Sequence, residues 1–90
     1  MITLVLRHRV GDYEAWKRAF DADPLRRAAS GVLHHRVYRI EGDIVVHLEF
    51  SARAEAEAFL ARLYGLWAGA GERLGMGAVD IQILEEVDRA

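Results

Sequence analysis

The sequence predicts an α+β fold in which the order β-α-β-β-α-β builds a four-stranded antiparallel sheet with both helices on one face. Three observations predict it. Four aliphatic or β-branched runs occur at 2–10, 32–40, 44–50 and 78–87. Two stretches between them carry apolar residues at helical spacing. The halves also resemble each other, since Val10-Gly11-Asp12 leads into Ala15 and Phe20 much as Phe50-Ser51-Ala52 leads into Ala54 and Phe59. Two such β-α-β halves give the ferredoxin-like arrangement, here expected as one domain over residues 1–90.

The first run opens with Ile2-Thr3-Leu4-Val5-Leu6, and polar residues then enter it in Leu6-Arg7-His8-Arg9-Val10, as in a strand that emerges into solvent. The apolar part is too short for a signal-peptide core, and its charges follow it. Asp12 is a natural helix N-cap, and Tyr13, Trp16, Ala19 and Phe20 then recur at three- and four-residue steps, an apolar stripe to lay on the sheet. Pro24, the only proline, suits the first turn of a short second helical piece through Leu25, Ala28 and Ala29, closed by Gly31. The runs 32–40 and 44–50 flank Glu41-Gly42-Asp43, where the glycine supplies the positive φ of a tight hairpin. Ser51 is expected to cap a helix in which Ala56, Phe59, Leu60 and Leu63 share one stripe. Tyr64, Leu66, Trp67 and Leu74 extend that helix, and Gly75-Met76-Gly77 stops it before the last strand.

Composition narrows the function classes. With 90 residues the core is modest, and self-association would add buried surface. Cysteine is absent, which excludes a disulfide framework, a thiol nucleophile and a thiolate metal site, and accords with a reducing, cytoplasmic setting. A net charge of -2 offers no basic surface to nucleic acid, and no apolar run approaches the roughly 20 residues of a membrane span. Lys17 is the single lysine among many arginines and alanines, as in a GC-rich bacterial genome.

A two-residue hairpin loop, whether Glu41-Gly42 or Gly42-Asp43, places His34, Arg36 and Tyr38 on one face with Val45, His47 and Glu49. A three-residue loop would instead set His35 and Val37 beside His47 and Glu49. Arg7 and Arg9 share the face of Val5, and Gln82 that of Leu84, so polar side chains can gather on the sheet surface the helices leave bare. Part of this set reads as cross-strand ion pairs, such as Arg36 with Glu49. His47-x-Glu49, with His34, imitates a two-histidine, one-carboxylate metal site, but the spacing is generic and no metal is expected. The run Gly69-Ala70-Gly71-Glu72-Arg73-Leu74-Gly75 has its third glycine one position late for a dinucleotide fingerprint and follows no strand, so helix termination accounts for it. Both serines, Ser30 and Ser51, lie at predicted helix boundaries, outside any nucleophile elbow.

The stretch Leu6 to Asp21, with its D-Y-x-x-W-K-x-x-F segment, then His35 to Arg39, Val45 to Phe50, Ala56 to Leu60 and Leu84 to Val87, resembles the small dimeric α/β-barrel proteins of the antibiotic biosynthesis monooxygenase superfamily. The resemblance implies a homodimer whose open sheet faces meet in a barrel, with a pocket in each protomer between sheet and helices. It implies cofactor-free chemistry on a small apolar or aromatic molecule: oxygenation, cyclisation or isomerisation. Family oxygenases use an asparagine, a tryptophan and a tyrosine. This chain has no asparagine, so the amide that would polarise a substrate oxygen is missing.

On this reading His47 is the general base or proton relay, and Tyr38 with Arg36 orients the substrate or stabilises an oxyanion. Trp67, Phe59 and Tyr64 form an aromatic wall, with Arg7 and Glu49 as supporting partners. The alternative is a non-catalytic dimer whose polar strand residues are interface ion pairs. If Trp16 anchors the first helix to the sheet, Trp16→Ala costs about 3 to 5 kcal/mol in a urea unfolding experiment. A loss below about 1 kcal/mol would remove that role.

Overall fold

The computed structural model describes residues 1–70 and 76–89. The elements are β1 (Ile2–Val10), α1 (Tyr13–Ala22), β2 (His34–Ile40), β3 (Asp43–Phe50), α2 (Arg53–Ala70) and β4 (Met76–Glu85). They realise the expected ferredoxin-like order. The strands form one antiparallel sheet in the sequence β2-β3-β1-β4, so β1 is paired on both sides and β2 and β4 are the edges.

Alternation along β1 and β3 sets which way the sheet faces. Ile2, Leu4 and Leu6 are buried with Ile44, Val46, Leu48 and Phe50, and they meet Trp16 of α1 and Ala56, Phe59 and Leu63 of α2 in a single cluster. Both helices therefore cover the same face. Asp12 caps α1 as its sequence position suggests, its carboxylate accepting from the Ala15 N–H at 3.0 Å. The helix closes on Asp23, which adopts a left-handed φ of 53° and donates its N–H to the Phe20 carbonyl.

The segment after Asp23 departs from the short helix expected there and is a run of turns. Arg26 takes a φ of 51°, which breaks any right-handed helix begun at Pro24. Turn bonds hold the segment instead, with the Ser30 N–H donating to the Arg26 carbonyl and the Val32 N–H to the Arg27 carbonyl, both at 2.9 Å. Arg62 of α2 clamps it from outside, donating to Ser30 Oγ at 2.7 Å and to the Leu25 carbonyl at 3.0 Å.

The β2–β3 hairpin has the two-residue loop Glu41-Gly42, because Ile40 pairs with Asp43. Both loop residues have positive φ, 49° and 91°, as in the type I′ turn that matches strand twist. At α2 the expected cap moves by one position. Ala52 accepts the first helical bond, from the Ala56 N–H, while the Ser51 hydroxyl donates to Glu55 Oε1 at 2.9 Å. The helix then runs unbroken through Tyr64 and Trp67. Leu74, Gly75 and the glycine-rich stretch from Gly71 lie outside the described residues, and the last strand starts at Met76, two residues earlier than its sequence pattern suggests.

Gly31 joins the turns to the sheet with a φ of 98°, and a Cβ there would lie 2.5 Å from Glu55 Oε2. Gly31→Ala is expected to cost about 1 to 2 kcal/mol through the backbone alone. Adding Glu55→Ala should recover only the steric part, so urea midpoints of the two variants separate the causes.

Candidate functional site

The register divides the polar chemistry between the two faces of the sheet. On the face without helices, Arg36 lies opposite His47, Tyr38 opposite Val45 and His34 opposite Glu49. Arg7 is opposite Val45 on one side and Asp80 on the other. The expected cluster of His47, Tyr38, Arg36, Arg7 and Glu49 is thus assembled on the open face. Its members engage one another or a neighbour on the same face. Arg36 Nη1 donates to Glu49 Oε1 at 3.1 Å, Arg7 Nε to Asp43 Oδ2 at 2.8 Å, and the Tyr38 ring meets His47 edge-on at 5.1 Å. Tyr38, Ile40 and Leu84 stay largely exposed there, so the face is apolar as well as charged.

The aromatic wall forms elsewhere. Phe59 and Trp67 project from α2 to the other side of the sheet, where they line a cavity of about 120 Å³ between sheet and helices. Trp16 and Phe20 of α1 form the facing wall, stacked at 5.1 Å, while Leu6, Val46 and Leu48 provide the sheet surface beneath. Exposed Pro24 is part of the lining, so the cavity reaches the surface at the turns after α1. Tyr64 does not line it; that side chain is 55% exposed and touches Trp67 edge-on from outside. The sheet therefore separates the expected aromatic residues from the expected polar ones, and no one site includes both sets.

His8 is the residue that sequence reasoning missed. It sits at an inward position of β1, between the core residue Leu6 and the strand end, and lines the cavity at 3% exposure. Its ring lies 5.8 Å from that of Trp16. Neither ring nitrogen has a hydrogen-bond partner among the described residues. The β1–β4 ladder slips by one residue directly after it, between His8 and Val10, a bulge of the kind found beside functional sites. Burial pushes the imidazole pKa below its usual range, and the Asp43 carboxylate offsets this in part. The signal was available in the sequence as a polar residue on the apolar phase of the central strand, in step with Leu4 and Leu6.

Asp23 and Arg27 are the charged residues of the lining, and they engage each other at 3.4 Å. Arg27 also donates to the Phe20 carbonyl at 2.8 Å and lies over the Phe20 ring at 3.8 Å. No group of three or more histidine or acidic side chains placed to hold a metal occurs among the described residues. No helix among them is long and apolar enough to cross a membrane.

With this geometry in view, solved structures supply the comparison. A protein from Deinococcus radiodurans, provisionally classed as an antibiotic biosynthesis monooxygenase, superposes with a TM-score of 0.71 at 13% identity, over 100% of this chain and 96% of that one. A dimeric ferredoxin-like protein from an uncultured marine organism gives 0.71 at 10% identity, over 100% and 98%. A variant of SnoaB, a cofactor-independent oxygenase from Streptomyces nogalater, gives 0.65 at 18% identity, over 98% and 94%. This chain shares the ferredoxin-like fold of these three structures. No family model and no curated protein matches the sequence. At these identities the likeness establishes the ferredoxin-like architecture, and the chemistry must come from this chain's own residues.

His8 makes stability depend on pH with a definite sign. In the unfolded chain the imidazole takes up a proton near its ordinary value of 6.5, whereas in the fold it resists. Stability is therefore complete above that pH and falls as the pH drops below it, until the depressed folded-state value is reached. His8→Leu, measured by urea unfolding across the same range, is expected to lose this part of the acid sensitivity and to keep the contribution of the carboxylates.

Proposed function

We propose that the protein is a homodimer, joined through the open sheet face, in which the helix-side cavity of each protomer binds a small apolar or aromatic molecule. The observation that carries the reading is the cavity itself, an apolar space of about 120 Å³ walled by Trp16, Phe20, Phe59 and Trp67. Aromatic rings suit such walls because stacked and edge-on pairs add to the gain from area alone. The dimeric state of a structural neighbour supports the assembly, as do Tyr38, Ile40 and Leu84 left exposed on the bare face. The chain acts as one domain, and its lack of cysteine accords with the cytoplasm.

Catalysis is the second reading, and His8 favours it. A neutral imidazole lining an apolar cavity can take a proton from a bound molecule, a first step compatible with cofactor-free oxygenation, cyclisation or isomerisation. His47, Tyr38, Arg36, Arg7 and Glu49 lie across the sheet from this cavity, so on this reading they serve the dimer interface and the proton transfer falls to His8.

Two measurements test the proposal. Sedimentation is expected to give twice the chain mass for the native protein and the monomer mass for Leu84→Glu, which places a carboxylate on the bare face. A thermal-shift screen against planar aromatics is expected to raise Tm by about 10 °C for a ligand at a hundred times its Kd. Silence from every aromatic would favour a structural dimer instead.

A further inference from the structure

Resting on the reading of the helix-side cavity as a small-molecule site, we propose that His8 determines its specificity, and that the ligand is an uncharged single-ring molecule held by one hydroxyl or N–H group against the His8 imidazole. The argument begins with the two unpartnered nitrogens. His8 is 3% exposed, and neither nitrogen finds a donor or acceptor among the described residues. Buried polar atoms in native proteins are almost always paired, and one left alone is a reason to look for what pairs with it. The imidazole is also held in place. Its backbone lies in β1 between Ile44 and Val79, and its ring packs on Trp16, so it cannot turn out to solvent without leaving the core.

Size and charge narrow the ligand. A cavity of about 120 Å³ approaches the ~150 Å³ that accommodates one benzene ring, so a single ring fills the space between the aromatic walls. A neutral imidazole presents one donor and one acceptor on opposite sides of its ring, and a single ligand hydroxyl or N–H pairs with whichever of the two faces the cavity. An anionic ligand would lose its hydration without gaining a counter-ion, because Arg27 is already committed to Asp23, the Phe20 carbonyl and the Phe20 ring. The depressed basicity of His8 acts in the same direction, since the imidazole then offers an anion no positive charge. A site built to pair a ligand's polar group discriminates strongly against an analogue lacking it, whereas apolar walls alone discriminate weakly.

The test uses the full chain at neutral pH with phenol, toluene and benzoate as probes, titrated by calorimetry into the native protein and into His8→Leu. Native protein is expected to bind phenol and toluene and to reject benzoate. In His8→Leu the phenol-to-toluene affinity ratio should fall roughly tenfold, with toluene binding retained. Nitrogen NMR of the native protein provides a readout free of mutation: the His8 ring resonances should move with phenol and stay still with toluene. An unchanged ratio with unmoved His8 resonances overturns the role of His8 while leaving the cavity reading intact. Benzoate as the tightest probe overturns the charge argument and with it the proposal. Failure of all three probes to bind either protein overturns the cavity reading and this inference together.

Discussion

The alternation of β1, paired on both sides in the middle of the sheet, is the constraint on which the rest of the molecule depends. Its even positions, Ile2, Leu4, Leu6 and His8, face the helices, and its odd positions, Thr3, Val5, Arg7 and Arg9, face away. A slip of one residue against β3 would drive Arg7 into the cluster around Phe50 and expose Leu4 and Leu6, so the register is held by the large difference between those burials. The same alternation partitions function. Side chains on one face cannot reach across the backbone to the other, and the molecule therefore has two separate chemical surfaces rather than one composite site.

The two surfaces are stabilised differently. On the helix side the buried described residues are apolar apart from His8, a buried polar ring with a desolvation penalty that the surrounding core must offset. Local rules broken in this way concentrate at functional sites. On the open side the charges are matched within the protomer, Arg7 with Asp43 and Arg36 with Glu49. Such pairs contribute little while solvated. Their value appears if a second sheet covers them, because each of these two arginines then enters the interface with a carboxylate already bound.

The cavity owes its shape to the connection between α1 and β2. Left-handed conformations at Asp23, Arg26 and Gly31 fold that connection back on itself, and Arg62 ties it to α2 through Ser30 and the Leu25 carbonyl. Pro24, Leu25 and Arg27 are thereby brought to the rim of the space between the helices. A continuous short helix would have directed these side chains differently, and the positive φ of Arg26 is what prevents it.

Much was legible in the sequence by itself. Alternating aliphatic residues, the Asp12 cap, the glycine at the hairpin and the stripe from Ala56 to Leu63 determined the element order, the packing of both helices on one face and the sharing of a face by His47 and Glu49, because these follow from periods of two and 3.6 residues along the chain. Tertiary structure alone decided what those periods cannot encode. The loop length that fixed the hairpin register, the turns after Asp23 and the outward placement of Tyr64 depend on neighbours distant in sequence. So does the cavity, which exists only where α1, α2 and β1 converge, and it is this convergence that turns His8 from one polar residue in a strand into a buried imidazole without a partner.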